Sequence, residues 1–552
     1  MKRWFLPLGS VLLIGVAAAV GGYVTRPVHQ KPAEPDVQEE IKSDFQEAFE
    51  EIEYNYAGAP DMEMLGKNSI QGMLRALDPH SVFFTKSEYD DLQAEQRSRY
   101  YGIGVDIKKV YNKVYIVSVN PDGPGYRAGL RYGDAVVAVN AQSADTWSGE
   151  EVTERVRGEK GESVTLTIER PGVSHPISVR IVRDEVKLPT VRLSFIIGQA
   201  GTGYIGLTGG FSGKTNEELS TAIARLKQQG MRQLILDLRG NPGGLLDQAI
   251  KVAEKFLPAG ETILEVRGRE EQSPDRVYEA PENNEPETMP MVILINEGTA
   301  SASEVVAGAL QDHSRAYIVG ENSFGKGLVQ GIYNLWGGTG LMLATHRYYT
   351  PSGRSIQRDY SRISFYDYYR NRRIDGPEAP NAGGDASDRA FFTDLGQKVY
   401  AGGGIMPNER VRSQESGPYS NRLFAGVFDF ARQLVTGQLT GFHEYRITGT
   451  QHKIGVSADD LNLYPVTDRL IAAFRTYISD KPQFSISESA FNSNLEYIKS
   501  RLRSEIITAA YGAEAGEEVS LFDDVQVKKA LDVLPEAKQL AENSLRANRE
   551  HQ

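Results

Sequence analysis

The sequence of 552 residues contains no cysteine, which excludes disulfide bonds, thiolate metal ligands and a cysteine nucleophile. Positive charge is in deficit, because 61 lysines and arginines face 73 aspartates and glutamates. The resulting net charge of −12 argues against nucleic acid as a partner. The eight histidines form no HExxH or comparable pair, so we expect no metal site. No other motif indicates a cofactor, and we expect none.

Long apolar runs are lacking after the first 26 residues. At the start, Lys2 and Arg3 precede about twenty apolar residues that end near Val24. This order of charge, apolar run and polar tail predicts a signal peptide or membrane anchor at 1–26. We therefore expect a periplasmic, exported protein, either soluble or held at the inner membrane by this segment.

Composition and hydrophobic periodicity divide the rest of the chain into segments of different character. The predicted segments are a Pro-rich linker at 27–36, a helical region at 37–98, a compact β-rich module at 99–185, an α/β region at 186–415 that holds a polar, mobile insertion at about 359–394, and a helical region at 416–552. Alternation of apolar strands with helices in the α/β region predicts a mainly parallel sheet.

The first motif with chemical potential is GTASASEVVAGALQD, which follows an apolar strand that ends at Asn296. Its apolar spacing predicts a helix that begins near Ser301. Amides of a first helical turn are unpaired and the helix dipole is positive there, so a serine at this point can attack a carbonyl while amides receive the oxyanion. Ser301 and Glu304 also fit a helix capping box, and this structural interpretation stays open.

The second motif, SFGKGLVQ, places Lys326 between Gly325 and Gly327, directly before an apolar strand. Glycines allow close backbone approach, and a lysine pressed against packed backbone loses its hydration. Desolvation lowers the lysine pKa from about 10.4 toward neutrality, and a neutral amine can take the proton of a serine. The alternative is a surface lysine in a glycine-rich turn.

The third motif, LDLRGNPGGLL, is a buried strand that ends in a glycine-rich turn before a helix. Ligands collect at such carboxyl ends of parallel strands, and amides of the turn can supply an oxyanion donor. A plain strand-to-helix turn is the alternative. Pro242 occupies the place of the serine in the GNSGG motif, which excludes a trypsin-like protease.

These motifs, followed by YYTPSGRSIQ and GGGIMPN and preceded by RALDPHSVFFTKSEYDDL, resemble those of the carboxyl-terminal processing protease (tail-specific protease) family. The resemblance covers about residues 37–410. It implies a multidomain α+β fold in which a β-rich PDZ module is inserted ahead of an α/β, crotonase-like layered protease core. Helical regions are expected at the N-terminal and C-terminal sides.

The resemblance also implies roles for individual residues. It assigns the nucleophile to Ser301, the general base to Lys326, a lysine-orienting side chain to Gln330, and the oxyanion-hole amides to Gly243 and Ala302. Four residues of extended strand span about 13 Å, so contact between the lysine and the glutamine requires a bend between them.

In the β-rich module, YYGIGVDI resembles the carboxylate-binding loop of PDZ domains. The resemblance implies that the amides of Gly102, Ile103, Gly104 and Val105 hold the terminal carboxylate of a peptide that adds as a strand to the sheet edge. A hairpin start without a ligand is the alternative.

Together these features predict a serine endopeptidase that cleaves exported proteins at or near their C-termini. Its PDZ module would recognise an apolar substrate tail and gate the site. The alternative is a catalytically silent PDZ scaffold that binds peptides, and the export signal weighs against an acyl-CoA enzyme on the same layered fold. The C-terminal helices are compatible with an adaptor protein, with a homodimer or with packing on the core.

Overall fold

The structure, a computed structural model, describes residues 37–198, 200–269, 274–361, 368–369, 390–413, 417 and 419–550. The predicted signal and linker, and most of the predicted insertion, lie outside these residues. The described chain divides into two compact units after Met73. The first holds α1 (Val37–Asn55) and most of α2 (Met62–Arg75). None of the described helices combines the length and the apolar character that crossing a membrane requires.

The second unit begins with two short elements, β1 (Val82–Phe84) and α3 (Lys86–Gln96). Thr85 caps α3 in a capping box with Glu88, which explains why the helix starts directly after the strand. These elements lead from the LDPHS motif into the β-rich module.

The β-rich module is built on a six-stranded antiparallel sheet with the order β3-β4-β5-β7-β8, to which β6 is added beside β5. Its elements are β2 (Arg99–Gly102), β3 (Val105–Val110), β4 (Lys113–Val119), α4 (Pro124–Arg127), β5 (Ala135–Val139), β6 (Gln142–Ser143), α5 (Gly149–Val156), β7 (Ser163–Glu169), β8 (Ile177–Val182) and β9 (Asp184–Lys187). Ser148 caps α5, the longer of the two helices in this module. Because β3 lies at the edge of the sheet, it offers unpaired backbone for an added strand.

The described residues of the α/β region form two large sheets and a separate two-stranded sheet rather than a single sheet. Its elements are β10 (Leu193–Ile197), β11 (Thr202–Gly206), α6 (Thr215–Gln228), β12 (Gln233–Asp237), α7 (Leu246–Glu254), β13 (Thr262–Gly268), β14 (Arg276–Glu279), β15 (Met291–Ile295), α8 (Ala302–Asp312), β16 (Tyr317–Gly320), β17 (Leu328–Asn334), β18 (Gly340–Tyr349), β19 (Phe391–Phe392), β20 (Lys398–Val399) and β21 (Glu409–Arg410). The first sheet has the order β10-β11-β12-β15-β16-β21 and is parallel except for β10, as expected for alternating strands and helices. In the separate two-stranded sheet, β19 pairs with β20.

The second sheet, to which β17 and β18 belong, was not predicted from the sequence. It is antiparallel, with the order β1-β18-β13-β14 and with β17 beside β18. The turn that joins β17 to β18 is closed by the Leu335 N–H on the Thr339 carbonyl, at 2.9 Å. A connection this short allows only antiparallel pairing. Helix α8 packs in the core shared by both sheets, and all of its residues are buried.

The C-terminal region is helical, as predicted. Its helices are α9 (Ser420–Val435), α10 (Ala458–Leu463), α11 (Asp468–Ser479), α12 (Glu488–Ser493), α13 (Leu495–Tyr511), α14 (Ala513–Leu521), α15 (Val525–Asp532) and α16 (Leu534–Glu550). Val527 and Ala537 pack with Phe195 and Val292 of the parallel sheet. Phe428 of α9 packs with side chains that include Val110 of the β-rich module. The C-terminal helices therefore pack on the rest of the chain.

Candidate active site

Ser301 lies at the point where the chain leaves β15 and enters α8. Its φ of 55° and ψ of −116° lie outside the conformations that L-residues ordinarily adopt. The turn is held to the loop after β12, because the Ala300 N–H donates to the Asn241 carbonyl at 2.9 Å and the Gly240 N–H donates to Asn296 Oδ1 at 2.8 Å. The capping box of Ser301 and Glu304 that the sequence allows is present, and the Glu304 N–H also donates to the Ser301 carbonyl at 2.8 Å.

The carboxylate of Glu304 joins the serine turn to the lysine loop. Its Oε2 accepts the Ser301 N–H at 2.8 Å and the Lys326 N–H at 2.9 Å. Its Oε1 accepts the Gly325 N–H at 2.7 Å and the Ser323 hydroxyl at 2.5 Å. The two predicted reactive residues therefore have backbones that meet at a single oxygen atom.

The amine of Lys326 donates to Gln330 Oε1 at 2.5 Å. The bend that this contact requires is a β-bulge between Val329 and Gln330, where the pairing of β17 with β18 shifts its register. Gln330 in turn donates from Nε2 to the His80 carbonyl at 2.6 Å, which fixes the amide with its oxygen toward the lysine.

The environment of Lys326 favours the neutral amine. Burial lowers the pKa of Lys326 to about 8, while the charges of Glu304 and Asp78 oppose this shift. At pH 7 about one tenth of such an amine is neutral, compared with less than about one thousandth for an ordinary lysine.

Sequence analysis missed the turn that carries the His80 carbonyl. Asp78 accepts the backbone N–H groups of His80 and Ser81 on Oδ1, both at 2.7 Å, and the Ser81 hydroxyl on Oδ2 at 2.7 Å. The His80 ring is buried and lies 2.8 Å from the Tyr368 hydroxyl. Burial and, secondly, the charge of Lys326 lower the pKa of His80 to about 3, so the ring is neutral. The only signal in the sequence is the motif LDPHS, which resembles the family motif without indicating a role for His80.

The N–H groups of Gly243 and Ala302, the two predicted oxyanion donors, differ in the hydrogen bonds that they make. A Cβ atom added to Gly243 would lie 2.7 Å from Ser301 Cβ and 3.0 Å from the Ala302 nitrogen, so both donors border the serine. The Gly243 N–H donates to Asn241 Oδ1 at 2.9 Å, within its own loop. The Ala302 N–H opens α8 and makes no hydrogen bond to any described residue.

The predicted carboxylate loop leads directly into the edge strand β3. Gly102 pairs with Asp184 at the end of β2. Ile103 is buried and its carbonyl accepts the Gly125 N–H at 2.7 Å. Gly104 has a φ of 70°, and Val105 begins β3. The four residues are thus contiguous at the end of a sheet edge, as the predicted role requires.

Comparison with known proteins gives matches across the two central regions. The model of peptidase family S41 matches residues 201–363, and the model of a PDZ domain matches residues 115–170. A carboxy-terminal-processing protease of Bartonella bacilliformis is 39% identical over 317 residues, which cover 57% of this chain and 72% of that protein. A probable CtpA-like serine protease of Staphylococcus aureus (strain MSSA476) is 30% identical over 362 residues, covering 64% of this chain and 71% of that protein.

Solved structures give matches as well. The photosystem II D1 C-terminal processing protease has 29% identity, covers 57% of this chain and 89% of its own, and has a TM-score of 0.32. A PDZ domain ahead of an S41 domain defines the class, a PDZ-containing serine peptidase. The chain belongs to the carboxy-terminal-processing proteases of peptidase family S41. The resemblance and the fold class expected from the sequence are therefore confirmed.

Proposed function

We propose that this chain is a Ser/Lys endopeptidase that cleaves exported proteins at or near their C-termini. We also propose that its PDZ module recognises the C-terminal tail of the substrate and gates the active site. The observation that carries the proposal is the setting of Lys326. Its amine is partly buried and has a lowered pKa, and its backbone N–H is tied through Glu304 to the turn of Ser301. The family assignment supports C-terminal processing.

In the proposed reaction, Ser301 Oγ attacks the carbonyl carbon of the scissile bond while its proton passes to the neutral amine of Lys326. The Ala302 N–H donates a hydrogen bond to the oxyanion that forms. The Gly243 N–H donates a second one after it breaks its bond to Asn241. The ammonium then gives its proton to the leaving amine as the C–N bond breaks. Water then attacks the acyl-enzyme while Lys326 takes its proton, and the ammonium returns that proton to Ser301 Oγ as the ester C–O bond breaks.

The PDZ module supports recognition of a substrate C-terminus. The edge strand β3 can pair with an extended peptide, and the loop at 102–105 is placed to receive its carboxylate. The chain path supports gating, since it leads from this loop back through β2, α3 and β1 to His80, whose carbonyl holds Gln330. A bound tail that moves this path would change how the lysine is oriented.

The test uses the full chain and a fluorogenic peptide with an apolar C-terminus. Wild type is expected to cleave it, while Ser301→Ala and Lys326→Ala are expected to lose at least about a thousandfold in kcat/KM. Lys251→Ala is the matched control, because this lysine lies 49% exposed on α7. Binding without cleavage by wild type would favour the silent PDZ scaffold instead.

Gating has its own experiment. A second peptide with a free, apolar C-terminus is added in trans, and an amidated copy of the same peptide serves as control. The free carboxylate is expected to raise kcat on an internally cleaved substrate, and the amide is not. Equal effects of both peptides would contradict carboxylate recognition by residues 102–105.

We also propose a periplasmic location, supported by the charge, apolar run and polar tail of residues 1–26. Fractionation of cells that carry the full chain, compared with a chain lacking these residues, tests it. Mapping the C-termini of exported proteins by mass spectrometry in wild type and in Ser301→Ala then identifies substrates.

A further inference from the structure

Glu304 is more than the end of a capping box. A cap would satisfy the N–H of Ser301 alone, whereas three of the four donors to this carboxylate come from residues 323–326. Its side chain is fully buried, on a helix whose other residues are also buried. A carboxylate in such a place requires a role that outweighs its desolvation.

The hydrogen-bond pattern indicates that Glu304 carries a negative charge. Its three backbone partners can only donate. The Ser323 hydroxyl accepts the Ile405 N–H at 2.6 Å and therefore directs its own proton to Glu304. All four bonds thus end on the carboxylate oxygens. Burial raises the pKa of Glu304 above its ordinary value, and the four donors oppose only part of this shift.

We propose that Glu304 is a positioning residue, which fixes the backbone of Lys326 against that of Ser301 and places a negative charge that acts on the lysine amine. The inference rests on the proposed Ser/Lys function. Positioning follows from the shared oxygen atom Oε2, because loss of either bond frees one reactive residue from the other.

The charge of Glu304 acts on Lys326 together with a small set of neighbours. Asp78, before β1, adds a second negative charge that acts on the lysine, and the neutral ring of His80 lies in the same turn. Burial is the main cause of the low pKa of the His80 ring, and the charge of Arg358 lowers it further. Burial and, secondly, the charge of Glu304 raise the pKa of Tyr348 of β18, whose hydroxyl donates to the Ser301 carbonyl at 3.1 Å. Within this set, removing the charge of Glu304 must make the lysine easier to deprotonate.

The experiment compares Glu304→Gln with Glu304→Asp, since the first removes the charge and the second keeps it on a shorter side chain. In Glu304→Gln the acid limb of the kcat/KM profile is expected to move down by about one pH unit. In Glu304→Asp the limb is expected to stay, while kcat falls about tenfold or more and KM changes little. A merely structural role would lower activity without moving the limb.

A second readout does not require activity. Cyanate carbamylates only neutral amines, so the pH dependence of Lys326 labelling, followed by mass spectrometry in a Ser301→Ala background, reports the lysine directly. Glu304→Gln is expected to shift the labelling midpoint down by the same amount as the activity limb. An unchanged or raised midpoint would overturn the proposal.

The two readouts keep this inference apart from the proposed function. If wild type hydrolyses no peptide bond, the endopeptidase proposal fails, while the labelling shift still tests Glu304. If Glu304→Gln does not fold, Glu304→Asp decides, and a kcat within twofold of wild type would overturn the positioning role.

Discussion

The N–H of Gly243 donates to the side chain of Asn241 at 2.9 Å, so one predicted oxyanion donor is bonded within its own loop. Asn241 also donates from Nδ2 to the Leu207 carbonyl at 2.6 Å and is fully buried, which holds its oxygen in place. A developing oxyanion is a stronger acceptor than a neutral amide oxygen, so it can replace Asn241 Oδ1 as the acceptor of this N–H during the reaction.

The first prediction concerns Gly243. Its φ of 100° and the 2.7 Å approach of Ser301 Cβ to an added Cβ leave no room for a side chain. Gly243→Ala is therefore expected to displace this N–H from its place beside Ser301 and to lower kcat/KM at least about a hundredfold, the usual effect of losing an oxyanion donor. Gly260→Ala is the control, because Gly260 has a φ of 80° and nothing within 4 Å of an added Cβ. Equal activity of both variants would contradict a role for Gly243 in the active site.

The second prediction is the pH dependence of the reaction. The general base must be neutral, and burial lowers the pKa of Lys326 to about 8. The value of kcat/KM is therefore expected to rise with pH through a midpoint near 8 and to level off above it. Initial rates of peptide cleavage from pH 5.5 to 10 measure this, and a flat profile across pH 7 to 9 would contradict a lysine base.

The third prediction separates orientation from charge at Gln330. Gln330→Ala removes the acceptor of the lysine amine and is expected to reduce kcat about tenfold or more. Gln330→Glu places a negative charge at that acceptor, which raises the lysine pKa and moves the acid limb to higher pH. The pH profiles of both variants check this, and a limb that stays in place in Gln330→Glu would argue against the contact.

Local sequence was sufficient to predict the features that depend on one stretch of chain. The start of α8 at Ser301 followed from a strand, a tight turn and helical spacing, and the desolvation of Lys326 followed from its glycine neighbours. The bulge before Gln330 could not be predicted in this way, because it depends on pairing with β18. The His80 carbonyl was missed for a similar reason, since 250 residues separate it from Gln330.

Apolar patterns also left ambiguities that only tertiary structure resolves. The strands β17 and β18 have the same apolar character as those of the parallel sheet, and their short turn decides the pairing. The amphipathic stripes of α15 and α16 would look the same in a subunit interface. Their contact with Phe195 and Val292 of the parallel sheet depends on an apolar sheet face that no single helix reveals.

The last prediction concerns His313, which ends the helix that begins at Ser301. Its Nδ1 lies 3.0 Å from Glu261 and 2.8 Å from Asp394, and its Nε2 lies 2.7 Å from the Thr262 carbonyl. Both ring nitrogens therefore face acceptors, an arrangement that the doubly protonated ring satisfies. Burial lowers the pKa of His313, but the carboxylates and the carbonyl outweigh it, so the pKa is raised above 6.5.

Because the folded state binds this proton more tightly than the unfolded state, the stabilisation is complete below the unfolded pKa of about 6.5 and is lost as the pH rises through the folded value. The melting temperature is expected to fall as the pH rises above 6.5, and His313→Gln is expected to remove most of that slope. His175→Gln, at an exposed histidine, serves as the control. Scans with EDTA separate proton linkage from metal binding, since the ligand atoms of Glu261, His313 and Asp394 lie within 4.8 Å of one another. An identical slope in wild type and His313→Gln would show that this ion pair is not the source.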